Sequence, residues 1–125
     1  MKIYKGSCHC QFIRFEVTTN IDHVRRCNCS VCLKRGALNF RVDKSALRLL
    51  TSIDDLSLYQ WGSQSAEDYF CPKCGILTFR KPSRLTQAEL DNGTKPFAGW
   101  TINARCLHDL DLKTLTIINI NGQAI

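Results

Sequence analysis

Along most of its length the chain reads with a period of two. Ile13, Phe15 and Val17 alternate with Arg14, Glu16 and Thr18, as in a strand with one face buried and the other wet. Similar short segments recur at 38–42, 47–51, 56–61, 68–71, 76–80, 97–102 and 114–120. Turn-forming residues punctuate them, among them Asp54-Asp55, Pro72, Asn92-Gly93 and Asn121-Gly122. Many short strands with frequent turns predict a mainly β domain. The stretch 82–96 carries the least pattern and reads as a long surface loop, with room for one short helix around 85–90. No repeat stands out beyond the recurring cysteine pairs.

The 125 residues fit a single domain over 1–125. A core of that size is modest, so a covalent or metal staple would help, and eight cysteines are available. The net charge of +6 is scattered: Arg25, Arg26, Lys34 and Arg35 flank one cysteine group, and Arg80, Lys81 and Arg84 form a looser cluster. Such charges either draw in an anionic ligand or keep a small surface solvated. No basic run is long enough to argue for nucleic acid. The N-terminal residues lack the apolar core of a signal peptide, and no segment approaches the roughly 20 apolar residues of a membrane span. A soluble, cytoplasmic protein is predicted, with no membrane partner. Thiols in that compartment stay reduced, so clustered cysteines point to metal or catalysis.

Seven of the eight cysteines fall in three groups: Cys8-His9-Cys10, Cys27-Asn28-Cys29-Ser30-Val31-Cys32 and Cys71-Pro72-Lys73-Cys74-Gly75. The third is the most informative, since a C-x-x-C turn followed by glycine lets backbone amides point at both sulfurs while the chain reverses. Zinc takes four such ligands in a tetrahedron, and two short motifs can close one site. Seven ligands divide as four and three. A four-cysteine site is closed and structural, whereas three cysteines leave a position for water or an incoming ligand. The division fails if Cys106, His9, His23 or His108 supplies an eighth ligand. Cys106 reads as a small core residue, His9 as turned away between its two cysteines, His23 as a surface residue and His108 as part of a turn. Disulfide exchange is disfavoured, because thioredoxin-type pairs open a helix and this pair is flanked by strands.

The order C-H-C, then C-x-C-S-x-C, then C-x-x-C-G resembles the glutathione-dependent formaldehyde-activating enzyme family, to which centromere protein V also belongs. The resemblance runs from Gly6-Ser7-Cys8 through Ile102-Asn103-Ala104-Arg105-Cys106-Leu107. It implies a small β-rich zinc fold of layered antiparallel sheets (a β-tent, zinc-ribbon-like). It also implies two zinc ions: a structural one on Cys8, Cys10, Cys71 and Cys74, and a catalytic one on Cys27, Cys29 and Cys32. One departure is Gln11, where the family commonly has glycine. The chain also ends soon after Gly122, without the C-terminal tail of longer relatives.

The activity so implied is condensation of glutathione, or a related small thiol, with formaldehyde or another small aldehyde, a carbon–sulfur lyase reaction. Metal coordination removes a thiol proton that is otherwise lost near pH ~8.5. A zinc carrying four thiolates is formally dianionic, and Arg25, Arg26, Lys34 and Arg35 are candidates to temper that charge or to hold the tripeptide's carboxylates. Tyr69, His9 and His23 are candidate acids or bases. The alternative is a non-catalytic zinc-binding module for an acidic partner, which would want closed four-ligand sites and an exposed aromatic or basic face. Tyr59, Trp61 and Trp100 read instead as core.

Overall fold

The computed structural model describes residues 1–122. In the smaller of two sheets, β1 (Lys2–Ser7) pairs antiparallel with β2 (Arg14–Thr19), whose other edge carries β5 (Leu47–Leu49). Phe15 and Val17 are buried while Arg14 and Thr18 are exposed, as the alternation requires. Gly6 lies opposite Phe15, and a Cβ there would meet the ring at 2.3 Å, so only glycine lets this ring pack flat against β1.

The larger sheet has seven strands in the order β10-β3-β4-β9-β8-β7-β6. They are β3 (His23–Cys27), β4 (Asn39–Val42), β6 (Ser57–Tyr59), β7 (Glu67–Phe70), β8 (Leu77–Lys81), β9 (Trp100–Asn103) and β10 (Thr116–Ile120). The layered, mainly β architecture is the expected one, with one correction. β10 runs parallel to β3, setting Ile120 beside Cys27. A parallel pair needs a long crossover, and here all the other strands of the sheet lie between the two in sequence. Two short helices complete the fold: α1 (Ser30–Arg35) inside the second cysteine motif, and α2 (Gln87–Asp91) inside the weakly patterned stretch. The latter is fixed by a capping box in which Thr86 and Glu89 exchange side-chain-to-backbone hydrogen bonds.

Cross-strand partners place their side chains on the same face of a sheet. On one face of the large sheet stand Val24, Phe40, Val42, Trp100, Ile102, Phe79 and Tyr69, all buried. Phe79 meets Phe15 and Trp100 edge-on, at 5.5 and 5.4 Å between ring centres, so this face packs on the small sheet. The opposite face is polar. In register across it run Ile120 beside Cys27, Arg25 beside Asn39, Asn39 beside Asn103, Arg41 beside Thr101, Thr101 beside Arg80, and Arg80 beside Asp68. Asn39, Thr101, Asn103 and Asp68 are buried there, and Asp68 takes hydrogen bonds from Arg35 (3.0 Å) and Arg80 (2.6 Å).

Candidate metal centres

Cys8, Cys10, Cys71 and Cys74 converge although more than sixty residues separate the pairs, and their sulfurs lie within 4.8 Å of one another. Two matching turns deliver them. In one, Cys8 N–H donates to Ile13 O and Gln11 N–H to Cys8 O; in the other, Cys71 N–H donates to Ile76 O and Gly75 N–H to Cys71 O. Amides also point at the sulfurs, from Ile13 to Cys8 Sγ and from Lys73 and Cys74 to Cys71 Sγ. The Cys8–Cys10 and Cys10–Cys71 sulfur separations are 3.7 and 3.6 Å, close to the ~3.8 Å edge of a tetrahedron with ~2.3 Å zinc–sulfur bonds. Burial works against ionising Cys74, yet hydrogen bonds from the Cys10 and Ile76 amides and from Cys71 and Cys8 bring its thiol down to about 6. Burial pushes Cys8 up to about 11. Cys71 is also lowered, against burial, by the Cys74 and Lys73 amides and by Cys10, so Cys71 and Cys74 favour thiolates while Cys8 calls for a cation.

Cys27, Cys29 and Cys32 form a second cluster whose sulfurs also lie within 4.8 Å of one another. Cys27 ends β3, and Cys29 and Cys32 bracket the first turn of α1. Cys29 N–H donates to Cys27 Sγ at 3.4 Å. Burial acts to raise the Cys29 thiol, but the Cys32 amide, the Cys32 and Cys27 thiols and the Val31 amide lower it on balance. Cys32 is pushed up to about 12, by burial first and then by Cys29 and Cys27. Three thiols so close that ionising one hinders the next are a donor set suited to a metal dication. Gly122 closes one side: a Cβ there would lie 2.4 Å from Cys27 Sγ and 2.9 Å from Cys29 Cβ. β10 holds it there through the bond from Asn28 N–H to Ile120 O.

Cys106 belongs to neither cluster. It is buried and donates its S–H to Leu77 O at 3.5 Å, and burial pushes it up to about 12. His9 is exposed, His23 pairs with Asp22 at 2.6 Å, and His108 bonds Ser7 Oγ at 3.0 Å.

A pocket of about 310 Å³ opens over the three-cysteine cluster. Its floor is the polar face of the large sheet, and its walls come from α1 and from the segment leading into α2, including Arg84 and Leu85. Of the four basic residues that flank the second cysteine group in the sequence, only Arg25 lines it. Arg26 bonds Asn119 Oδ1, Lys34 is exposed, and Arg35 holds Asp68. Arg80 and Arg84, read in the sequence as part of a looser basic cluster, also line the pocket, together with Arg41, which the sequence did not nominate. Burial, then the like charges of Arg25 and Arg80, holds Arg41 below the usual guanidinium value, as expected where cations converge. Arg41 and Arg80 become neighbours of Arg25 only through sheet register. Trp61 is also a lining residue and, like Tyr59, is exposed, against its reading as core; Trp100 is buried as read. Tyr69 lies on the core face, and neither it nor His9 nor His23 lines the pocket. A larger cleft of about 730 Å³ lies beside Cys8 and Cys106, next to the four-cysteine cluster. No helix among the described residues is long and apolar enough to cross a membrane.

Comparison with known proteins agrees with this geometry. The family model for the glutathione-dependent formaldehyde-activating enzyme matches residues 3–94, spanning all seven clustered cysteines. A Halomonas elongata protein, provisionally named as such an enzyme, is 30% identical over 82 residues. That match takes in 58% of this chain and 52% of the relative, so the chain spans about half the length of that protein. A crystal structure of a Rhodobacter sphaeroides protein, a structural-genomics target, superposes with a TM-score of 0.72 at 30% identity, covering 92% of this chain and 97% of the other. Two cysteine clusters on a shared fold, in a chain matched over most of its length, carry the assignment: the protein belongs to the glutathione-dependent formaldehyde-activating enzyme family.

Proposed function

We propose that the chain is a cytoplasmic, zinc-dependent enzyme that joins glutathione to formaldehyde or a similar small aldehyde, or cleaves the adduct. The observation that carries this reading is a three-sulfur cluster at the floor of an arginine-lined pocket. Zinc on Cys27, Cys29 and Cys32 would offer a fourth coordination position and favour the thiolate of an incoming thiol at neutral pH. A second zinc on Cys8, Cys10, Cys71 and Cys74 would be structural.

The residues of the chain then account for binding and orientation. Arg25, Arg41, Arg80 and Arg84 suit a ligand with two carboxylates, because their mutual repulsion falls when an anion enters. Glutathione has that charge as well as a thiol. Fixing the thiol beside the aldehyde turns a bimolecular encounter into a local one. The sulfur forms a bond to the carbonyl carbon, the C=O π bond opens, and the proton that left sulfur ends on the new hydroxyl oxygen.

Exchange spectroscopy on mixed glutathione and formaldehyde tests the reading. Zinc-loaded protein should speed the exchange at least tenfold over buffer, and an unchanged rate would sink it. Metal analysis of Cys27→Ser under anaerobic conditions should show about one zinc per chain lost with the fold kept. A non-catalytic module for an acidic partner is the less favoured reading, since Cys106 stands apart from the three-cysteine cluster rather than closing it.

A further inference from the structure

Asn39 stands at the centre of the polar face, opposite Arg25 on one side and Asn103 on the other. It is about nine-tenths buried and lines the pocket, yet its Oδ1 has no hydrogen-bond partner. The contrast with Asn103 is sharp. Asn103 gives its Nδ2–H to Leu77 O at 2.9 Å and accepts from Arg105 N–H at 3.2 Å, so its amide is used up within the fold. Asn39 sits among donors on Arg25, Arg41 and Arg80, and none of them reaches it. A buried acceptor without a donor weakens the fold, and such local inconsistencies concentrate where a ligand supplies the missing partner.

Position narrows what that partner is. Arg25 and Cys27 share a face of β3, so Asn39 lies on the diagonal from Cys27, at about 7 Å between Cβ atoms in ordinary antiparallel geometry. That gap fits one small group attached to a sulfur held by the cluster. Carboxylates, an aldehyde and a thiolate carry no proton to give; glutathione's ammonium and amide N–H groups do, but of the groups bonded directly to the sulfur only the hydroxymethyl unit formed in the reaction carries one. We propose that Asn39 Oδ1 accepts the hydroxyl hydrogen of the S-hydroxymethyl group. It is a specificity-determining residue that distinguishes a hydroxylated adduct from a plain thioether. No proton is transferred to Asn39; the S–C bond forms or breaks as described above, and Oδ1 orients the hydroxyl. The inference rests on the glutathione reading.

The test compares two nearly isosteric ligands, S-(2-hydroxyethyl)glutathione and S-propylglutathione, by calorimetry on the zinc-loaded full chain, with glutathione as control. Wild type should prefer the hydroxylated ligand about tenfold, the usual worth of one good hydrogen bond. Asn39→Leu should lose that preference, still bind glutathione and melt no lower than wild type, because the orphaned acceptor is gone. If Asn39→Leu does not fold, Asn39→Ala carries the same comparison of ligands. Equal binding of the two thioethers by wild type, failure to bind either, or a preference that survives substitution overturns the role of Asn39 and leaves the glutathione reading standing. Failure of wild type to bind glutathione overturns both.

Discussion

Gln11 and Gly75 occupy the same place in two related turns. Each follows the second cysteine of its pair, each donates its N–H to the carbonyl of the first cysteine, and each has a left-handed φ, +67° for Gln11 and +80° for Gly75. Glycine adopts that conformation freely, but a residue with a Cβ is disfavoured there by about 1–2 kcal/mol. Gln11 therefore holds, with strain, a conformation that glycine would adopt freely.

Gln11→Gly should stabilise the zinc-loaded protein by about 0.5–1 kcal/mol, since glycine's extra freedom in the unfolded chain offsets part of the relief. A thermal scan should show the midpoint rising by a few degrees. A lower midpoint would mean that the contact of Gln11 Oε1 with Arg14 at 3.5 Å outweighs the strain.

Asp68 is fully buried between two guanidiniums, with Arg35 and Arg80 themselves mostly covered. Asp68→Ala leaves two cations without their partner in a site they cannot leave. A destabilisation of about 3–5 kcal/mol is expected, measured as a lower urea midpoint with the slope unchanged. A change below about 1 kcal/mol would show that water reaches the pair.

Gly122→Ala pushes a methyl group into Cys27 Sγ and Cys29 Cβ. The variant should keep the metal of the four-cysteine cluster and lose affinity at the other, at least tenfold in a competition titration with a zinc chelator. Equal affinity at both clusters would show that β10 gives way instead.

Cys106 carries a pH signature. Its thiol is pushed up to about 12, mainly by burial, against an ordinary value near 8.5. Between those values the unfolded chain has lost this proton while the native state keeps it, so native stability falls as pH rises. The contribution is fully present below about pH 8.5 and is lost by about pH 12, at up to about 1.4 kcal/mol per pH unit. Cys106→Ala removes that slope. Urea unfolding of both proteins at pH 8, 9.5 and 11 should therefore show the advantage of wild type shrinking with pH, and parallel curves would contradict it.

Much of this arrangement was legible in the sequence because it is local. Period-two alternation announces β2, and spacing announces three cysteine groups. Strands β1 and β3 were harder, since Lys2, Lys5, Arg25 and Arg26 sit in them without a clean apolar alternation. α1 escaped because six residues within a cysteine motif give no helical period. Arg41 was invisible as a pocket residue, and Arg80 as a neighbour of Arg25, for a different reason. They meet Arg25 only when β3, β4, β9 and β8 are laid side by side, and register is a property of pairs of strands, not of any one of them.

The Asp68–Arg35 ion pair has a consequence for metal loading. Asp68 precedes Cys71 by three residues on the strand that leads into the four-cysteine cluster, and Arg35 follows Cys32 by three on the helix that carries the other. The two cysteine clusters are thereby joined through one short mechanical linkage. With metal held at both clusters, stripping the first would free the end of β7, slacken the anchor of α1, and expose the second to the same chelator. Release should thus be sequential and cooperative, with the closed centre acting as the lock on the open one.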